Sequence, residues 1–291
     1  MKRSVTVMAA ILILLCGLGA VAYPFVSNYL AGEKQAAVIV AAEKEMTETD
    51  TAEREAALAA AEEYNRALLA PVPGKAMTMD ESAYRALLSA GEDGIMGVLE
   101  IPRIQVMLPI YHGTGDTSLQ RGVGHIYGTS LPVGGTGTHT ALSGHTGMAG
   151  QRMLSDLDQL VLGDTFCLRV WGESLTYEVD QIRLVLPEDV RELAINPDKD
   201  YCTLVTCTPY GINTHRLLVR GIRTEAEHTA ADTQPKPESP TPAASTWRQQ
   251  IRRSILVGLI ASAGLWLFVV GIRSWRRFNQ RKSTDAFNEP V

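Results

Sequence analysis

Two long charge-free runs near the ends of the chain limit its possible folds more than any other feature. The first extends from Ser4 to Gly32 and the second from Ser254 to Ile272. A helix needs about 20 mostly apolar residues to cross the hydrocarbon layer of a membrane. The sequence therefore predicts two terminal transmembrane helices. For the first run a cleaved signal peptide is the alternative, because basic residues precede it and Ala20-Val21-Ala22 resembles a cleavage site.

Charged residues are distributed unevenly around these runs. Basic residues precede the first run, and a basic cluster follows the second: Arg273, Arg276, Arg277, Arg281 and Lys282. Because cytoplasmic flanks are enriched in Lys and Arg, we expect a two-pass protein of the cell membrane with both termini in the cytoplasm. Residues 28–247 hold 17 Lys and Arg against 30 Asp and Glu. This extracellular part is therefore acidic, which argues against a nucleic-acid partner.

The chain divides into five segments by composition. Residues 1–32 form the cytoplasmic tip and first span, 33–92 a helical extension, and 93–224 a β-rich domain. A Pro-rich linker follows over 225–250, before the second span and basic tail over 251–291. The extension is rich in Ala and Glu from Glu33 to Ala70, which predicts one long helix. A capping box at Thr78–Glu81 predicts a short helix that ends at Gly91.

The β-rich domain consists of short apolar and β-branched runs between turn residues. This pattern predicts an all-β barrel or sandwich, with a single helical segment at Leu154–Leu160. The predicted strands are Gly97–Ile101, Ile104–Tyr111, His139–Ser143, Thr165–Val170, Leu175–Leu186, Thr203–Thr206 and Leu217–Ile222.

Four cysteines are candidates for redox, metal or nucleophilic chemistry. Cys16 lies in the first apolar run, so only Cys167, Cys202 and Cys207 remain in the β domain. Three thiols cannot all pair within one chain, and one of them must therefore stay free or join another molecule. Strand alternation places Cys202 and Cys207 on opposite faces, with Cys207 where the strand gives way to a loop. Cys207 is therefore the candidate nucleophile, and the other two are core candidates.

A cation and a general acid or base would complete such a site. The strand–loop–strand connection after Cys207 brings Arg216 back beside it, where a guanidinium can hold a thiolate or an oxyanion. A surface ion pair is the simpler interpretation of Arg216. For the acid or base, His145 follows a strand-like run, but composition does not choose among the six histidines: His112, His125, His139, His145, His215 and His228.

Four blocks of sequence resemble the sortases, which are membrane-anchored cysteine transpeptidases of Gram-positive cell surfaces. The most specific is TLVTCTPYGINTHRLLVRG at 203–221, and the others read GIMGVLEIPRIQVMLPIYHGT (94–114), GVGHIYGTSLPVGG (122–135) and THTALSGHTG (138–147). The resemblance implies an eight-stranded sortase-type β-barrel. The helical extension and two apolar runs make the chain most similar to class C, whose members polymerise pilins.

The resemblance also assigns roles to three residues. Cys207 becomes the nucleophile, His145 the general acid/base, and Arg216 the cation that stabilises the thiolate or oxyanion. The implied reaction cleaves an LPXTG-like sorting signal of a surface protein or pilin through a thioester. The acyl group then passes to the amine of a pilin Lys or a peptidoglycan precursor. No cofactor and no metal are implied.

One family feature is missing from the sequence. Pilin sortases carry a lid with an Asp-Pro-aromatic motif, whereas the matching position here reads Ala70-Pro71-Val72. We therefore expect any lid to be held loosely or differently. Three alternatives remain: a housekeeping sortase that anchors proteins to peptidoglycan, a catalytically idle membrane-tethered assembly module, and a thiol-metal or disulfide-exchange protein using Cys202 and Cys207. Opposite strand faces and C-x₄-C spacing argue against the last.

Overall fold

The computed structural model describes residues 2–69, 80–91, 93–146, 151, 153–225, 256, 258 and 264. The chain forms two compact units, one of residues 1–26 with 248–291 and one of residues 27–247. The lid segment predicted at 70–78, nearly all of the linker and most of the second apolar run lie outside the described residues. Within the described parts, none of the helices combines the length and the apolar character that a membrane crossing requires.

The predicted helical extension consists of two long helices instead of one. Helix α1 covers Lys2–Glu48 and helix α2 covers Thr51–Leu69. At the break, the Thr49 hydroxyl donates a 2.7 Å hydrogen bond to the carbonyl oxygen of Glu45. Thr47 makes the same kind of bond inside α1, so the bond alone does not end the helix. Helix α1 ends where residues of low helix propensity, Thr47, Thr49 and Asp50, follow one another closely.

The short third helix differs from its prediction. Helix α3 covers Glu81–Ala86, with Asp80 at the N-cap position and no side-chain capping bond. The predicted capping box is therefore wrong, although Thr78 itself lies outside the described residues. The helix also ends before Gly91, because the backbone of Leu87 leaves the helical region, with φ of −77° and ψ of 133°.

The β domain is a closed eight-stranded barrel, as the sequence resemblance implied. Around the barrel the strands follow the order β1-β2-β3-β4-β7-β8-β6-β5. The pairs β2–β3 and β4–β7 are parallel, and the other neighbours are antiparallel. The strands are β1 Ile95–Ile101, β2 Val106–His112, β3 Val123–His125, β4 Thr138–Gly144, β5 Thr165–Val170, β6 Glu173–Val185, β7 Asp200–Thr208 and β8 His215–Arg223.

Helix α4 (Asp116–Arg121) and strand β3 were not predicted, and one segment predicted as an α-helix forms only a 3₁₀ turn. The sequence analysis missed helix α4 (Asp116–Arg121) and strand β3, which has only three residues, one of them Gly. Residues Leu154–Leu160, predicted as helical, contain only a 3₁₀ turn at Leu157–Gln159. Segments this short give no measurable periodicity, so their structure depends on tertiary contacts.

The barrel interior is filled by the inward side chains of the strands. Residues such as Leu99, Leu142, Leu168 and Leu204 are fully buried in one hydrophobic cluster. Each side chain of this size contributes roughly 1.5–3 kcal/mol when it leaves water. The interior also holds Gly221, where an added Cβ would lie 2.7 Å from both Phe166 and Tyr177.

The helical extension is fixed to the barrel by polar contacts as well as apolar ones. Arg169 on β5 joins Glu43 of α1 at 2.7 Å and Glu100 of β1 at 2.5 Å. The Asn65 carboxamide of α2 both donates to the carbonyl oxygen of Leu131, at 3.1 Å, and accepts from its N–H, at 2.7 Å. The part of α1 from Ser27 onwards and helix α2 therefore belong to the same folded unit as the barrel.

Candidate active site

The three thiols of the barrel occupy different environments. All four cysteines of the chain are free, and Cys202 and Cys167 are buried whereas Cys207 is half-exposed. Burial raises the pKa of the Cys167 thiol, and it raises the pKa of the Cys202 thiol well above its usual value. A thiol with a raised pKa supplies little thiolate. The position of Cys207 near the end of β7 makes it the accessible thiol of the barrel.

Strand alternation separates the two faces of β7 as predicted. Cys202 and Leu204 are fully buried among the core residues. Cys207 lies on the opposite face, together with Thr203 and Val205. Thr203 and Val205 are buried, so β7 is open to a substrate only at its end, where Cys207 is half-exposed.

Arg216 lies directly opposite Cys207 in the antiparallel pairing of β7 with β8. Its Nη1 donates hydrogen bonds of 3.2 Å to the carbonyl oxygens of Asn213 and His215. Among the described residues its Nε and Nη2 make no hydrogen bond, and no carboxylate pairs with the guanidinium. The structure therefore places a permanent positive charge with open donors across from the half-exposed thiol.

His145 comes to the same end of the sheet through the parallel pairing of β4 with β7. Gly144 pairs with Thr206, so His145 and Cys207 are the residues that directly follow this pair. The Thr206 hydroxyl donates a 2.8 Å hydrogen bond to the carbonyl oxygen of Gly144. One side-chain contact thus joins the two segments that lead into the candidate residues.

A second contact supports the turn that carries His145. The backbone N–H of Leu154 donates a 3.1 Å hydrogen bond to the carbonyl oxygen of His145. The Leu154 side chain packs against Gly144 so closely that a Cβ there would lie 2.7 Å from Leu154 Cδ1. Sequence reasoning missed both Thr206 and Leu154 as supports, since neither strand alternation nor composition indicates which backbone atom a side chain will meet.

Three other histidines have a structural role. His112, His125 and His139 are buried, and both ring nitrogens of each have hydrogen-bond partners. Burial lowers the pKa of all three, in the case of His125 to about 4. His112 and His125 end strands β2 and β3.

The remaining two histidines are peripheral. His215 begins β8 and contacts the Thr214 hydroxyl at 3.0 Å. His228 lies outside the described residues. Within the described ranges, His145 is thus the half-exposed histidine that follows a strand paired with the Cys207 strand. No group of His, Cys, Asp and Glu side chains in the described part of the chain has the arrangement of a metal site.

Comparison with known proteins gives consistent matches. The family model of the sortase domain matches residues 99–224. Sortase D of Bacillus subtilis is 28% identical over 180 residues, which are 61% of this chain and 85% of that protein.

Solved structures match a larger share of the chain than the family model does. The crystal structure of sortase C1 from Streptococcus agalactiae has a TM-score of 0.61 and 44% identity, covering 65% of this chain and 99% of that one. Sortase C of Clostridium perfringens, solved with the C-terminal cell wall sorting motif, has a TM-score of 0.59 and 40% identity over the same shares.

Proposed function

Because this chain belongs to the sortase family of cysteine transpeptidases, we propose that it joins pilin subunits at the cell membrane. In this proposal it cleaves an LPXTG-like sorting signal and transfers the acyl part to a pilin Lys amine. The observation that carries the proposal is the strand register, which sets Arg216 across from Cys207 and aligns the residues before His145 and Cys207.

The proposed chemistry uses these three residues in two acyl transfers. The Cys207 thiolate attacks the carbonyl carbon of the signal's Thr, and Arg216 stabilises the oxyanion that forms. The Thr–Gly bond breaks as protonated His145 gives a proton to the departing amine, leaving a thioester on Cys207. The Lys amine then attacks the thioester, loses a proton to His145 and forms an amide, which releases the sulfur.

The choice of class C depends on the relatives and on the extension. The matched sortase C1 and sortase C structures each cover 65% of this chain and 99% of their own chain. This share is larger than residues 99–224, which the family model matches. The alternative, a housekeeping sortase, uses the same catalytic residues and a peptidoglycan amine, so the acceptor distinguishes the two functions.

Membrane anchoring is part of the proposal and is supported by the two charge-free runs and their basic flanks. Both proposed substrates are embedded in the same bilayer. A tethered enzyme would therefore meet them at a raised effective concentration.

The test supplies both substrates to the full-length protein. An LPXTG-type peptide and a pilin domain bearing the acceptor Lys are incubated with the enzyme, and mass spectrometry identifies the amide-linked product. A peptidoglycan-type oligoglycine amine is offered in a parallel reaction. Preference for the pilin Lys supports the polymerising function, and preference for oligoglycine supports the housekeeping alternative.

Matched variants separate chemistry from folding. Cys207→Ala is expected to form no thioester and no product, whereas Cys16→Ser, at an exposed cysteine outside the barrel, retains activity. Arg216→Lys keeps the charge but loses the planar fork, so we expect it to be intermediate between wild type and Arg216→Ala. Full activity of Cys207→Ala would refute the proposed mechanism, and absence of turnover by the wild type would favour the idle module.

A further inference from the structure

One face of helix α1 packs against the barrel, and a polar residue lies near its start. Ile39, Ala42 and Met46 follow one another at helical spacing on this face, and all three are buried. Gln35 precedes them by one turn and is half-buried. A carboxamide loses hydrogen bonds to water in such a position, so its contacts with the protein must replace them. The proposed catalytic steps make no use of this residue.

The Gln35 carboxamide joins two segments of the barrel domain that are distant in sequence. Its Nε2 donates a hydrogen bond of 3.3 Å to the carbonyl oxygen of Arg121 and one of 3.7 Å to the sulfur of Met153. The amide nitrogen of Gln carries two hydrogens, so one is available for each acceptor. Arg121 ends helix α4, and the last carbonyl oxygens of a helix lack partners within it. Gln35 therefore supplies a donor to a helix end and to a thioether at the same time.

The contact with Met153 reaches the turn that carries His145. Met153 is only 2% exposed and has a left-handed backbone, with φ of 41°. This conformation is unfavourable for a residue with a Cβ and persists where the surroundings enforce it. The next residue, Leu154, donates its N–H to the carbonyl oxygen of His145 at 3.1 Å. Gln35 is one of the groups that hold Met153, so its influence passes through Leu154 to His145.

The contact with Arg121 supports a second neighbour of the same strand end. Arg121 lies two residues before Val123, which begins β3. A Cβ on Gly144 would lie 3.1 Å from Val123 Cγ1 as well as 2.7 Å from Leu154 Cδ1. Gln35 therefore ties together the segments that lead into both of these close neighbours of Gly144.

Helix α1 has other contacts that keep it on the barrel. Glu43 pairs with Arg169 at 2.7 Å, and the Glu45 carboxylate accepts the N–H of Gly91 at 2.8 Å. These contacts lie about two turns further along the helix than Gln35. Loss of the Gln35 carboxamide should therefore leave the helix docked and release only the two segments that it joins.

We propose that Gln35 is a positioning residue for His145, through which the docked helix α1 controls the rate of catalysis. The carboxamide acts through Met153 and Leu154 on the backbone of His145, and so on the place from which the imidazole gives and accepts its proton. The inference rests on the proposed function and adds to it a residue of the helical extension.

The experiment replaces Gln35 with Met in the full-length protein, which keeps the length of the side chain and the helix propensity but removes both donors. In cleavage of an LPXTG-type peptide we expect kcat and kcat/KM to fall together, by roughly fivefold, because a misplaced imidazole affects the transition state. Lys34→Met makes the same replacement at an exposed neighbouring position and should retain wild-type rates. Circular dichroism confirms that both variants are folded under the assay conditions.

A second variant tests the route from Gln35 to His145. Met153→Leu keeps an apolar side chain but removes the sulfur acceptor, and we expect a smaller decrease in kcat, of roughly twofold. In the Gln35→Met background the same change should add nothing further, because the contact is already lost. The Leu154 amide, followed by hydrogen–deuterium exchange, should exchange roughly threefold faster in Gln35→Met than in Lys34→Met.

Two outcomes overturn the inference: equal kcat in Gln35→Met and Lys34→Met, or equal exchange of the Leu154 amide in these two proteins. The exchange measurement separates this failure from failure of the proposed function, since it requires no catalysis. Faster exchange in Gln35→Met without any cleavage by the wild type would leave the link between α1 and the His145 turn standing and refute the transpeptidation.

Discussion

The Thr206 hydroxyl lies 2.8 Å from the carbonyl oxygen of Gly144, to which it donates a hydrogen bond between two parallel strands. These residues directly precede Cys207 and His145. The bond therefore controls the relative position of the thiol and the imidazole, because each follows the bonded residue by one position. Four predictions test this site and the fold that supports it.

Replacing Thr206 with Val removes the hydroxyl while keeping the branched shape. We expect a stability loss of about 1 kcal/mol and a decrease in kcat/KM of roughly tenfold, since small misplacements of catalytic groups are costly. Urea denaturation and peptide cleavage assays measure the two effects. Thr206→Ser retains the donor and should remain close to wild type. Equal cleavage by the Val and Ser variants would show that the bond does not position the site.

Gly221 tests the packing of the barrel interior. An added Cβ would lie 2.7 Å from Phe166 and Tyr177 atoms, so Gly221→Ala should lower the free energy of unfolding by about 1–3 kcal/mol. A Cβ added at Gly115 would have no atom within 4 Å, and Gly115→Ala should therefore change stability by less than about 0.5 kcal/mol. Chemical denaturation of both variants compares the two sites. Similar stabilities would contradict the close packing.

His125 should make the stability depend on pH. Burial lowers its folded-state pKa to about 4, whereas an unfolded chain has the ordinary value near 6.5. Below pH 6.5 the His125 ring binds a proton in the unfolded state but stays neutral in the folded state. The free energy of unfolding therefore falls as the pH is lowered from 6.5 to 4. The total loss from this residue is roughly 3 kcal/mol. His112 and His139, whose pKa values are also lowered, contribute in the same direction.

The pH effect is measured by denaturation at pH 7 and pH 4.5. In His125→Gln the loss between these two pH values should be smaller than in the wild type, because one of the three histidines with a lowered pKa is gone. An unchanged pH dependence would mean that His125 is accessible to protons in the folded protein.

His139 on β4 connects the loop between β6 and β7 to strand β7. Its ring nitrogens lie 2.9 Å from the carbonyl oxygen of Ala194 in the loop and 2.7 Å from the Thr203 hydroxyl of β7. In His139→Ala we expect the backbone amides of residues 190–197 to exchange at least about tenfold faster, because the loop loses this anchor. Hydrogen–deuterium exchange with mass spectrometry measures the change. His215→Ala, which removes an exposed ring at the start of β8, should leave that loop protected. Equal exchange in both variants would show that other contacts, and not His139, keep this loop ordered.

Local sequence rules predicted the faces of β7 but not the neighbours of that strand. Period-two alternation placed Cys207 opposite Cys202, and the burial of Cys202 agrees with it. The pairing of β4 with β7 joins residues about 60 positions apart, which no local pattern encodes. The family resemblance implied the closed eight-stranded barrel that contains this pairing. For the same reason the contacts of Thr206 with Gly144 and of His139 with Ala194 were not predicted.

Errors in the helical extension have a different origin. Composition predicted one helix because Ala and Glu favour helix at nearly every position. The break lies in a short run of residues with low helix propensity, which includes Thr47, Thr49 and Asp50. The capping box failed because its pattern is short enough to occur where no helix begins. Helix α3 starts after Asp80 instead.

The parallel pairing of β4 with β7 also affects when the enzyme acquires reactivity during its synthesis. β4 leaves the ribosome about 60 residues before its partner, and the β5–β6 hairpin is made in between. Contacts between such distant segments form late in folding. The segments that carry Cys207, His145 and Arg216 therefore come together only after β7 and β8 have been made, so the site forms in one of the last steps of folding.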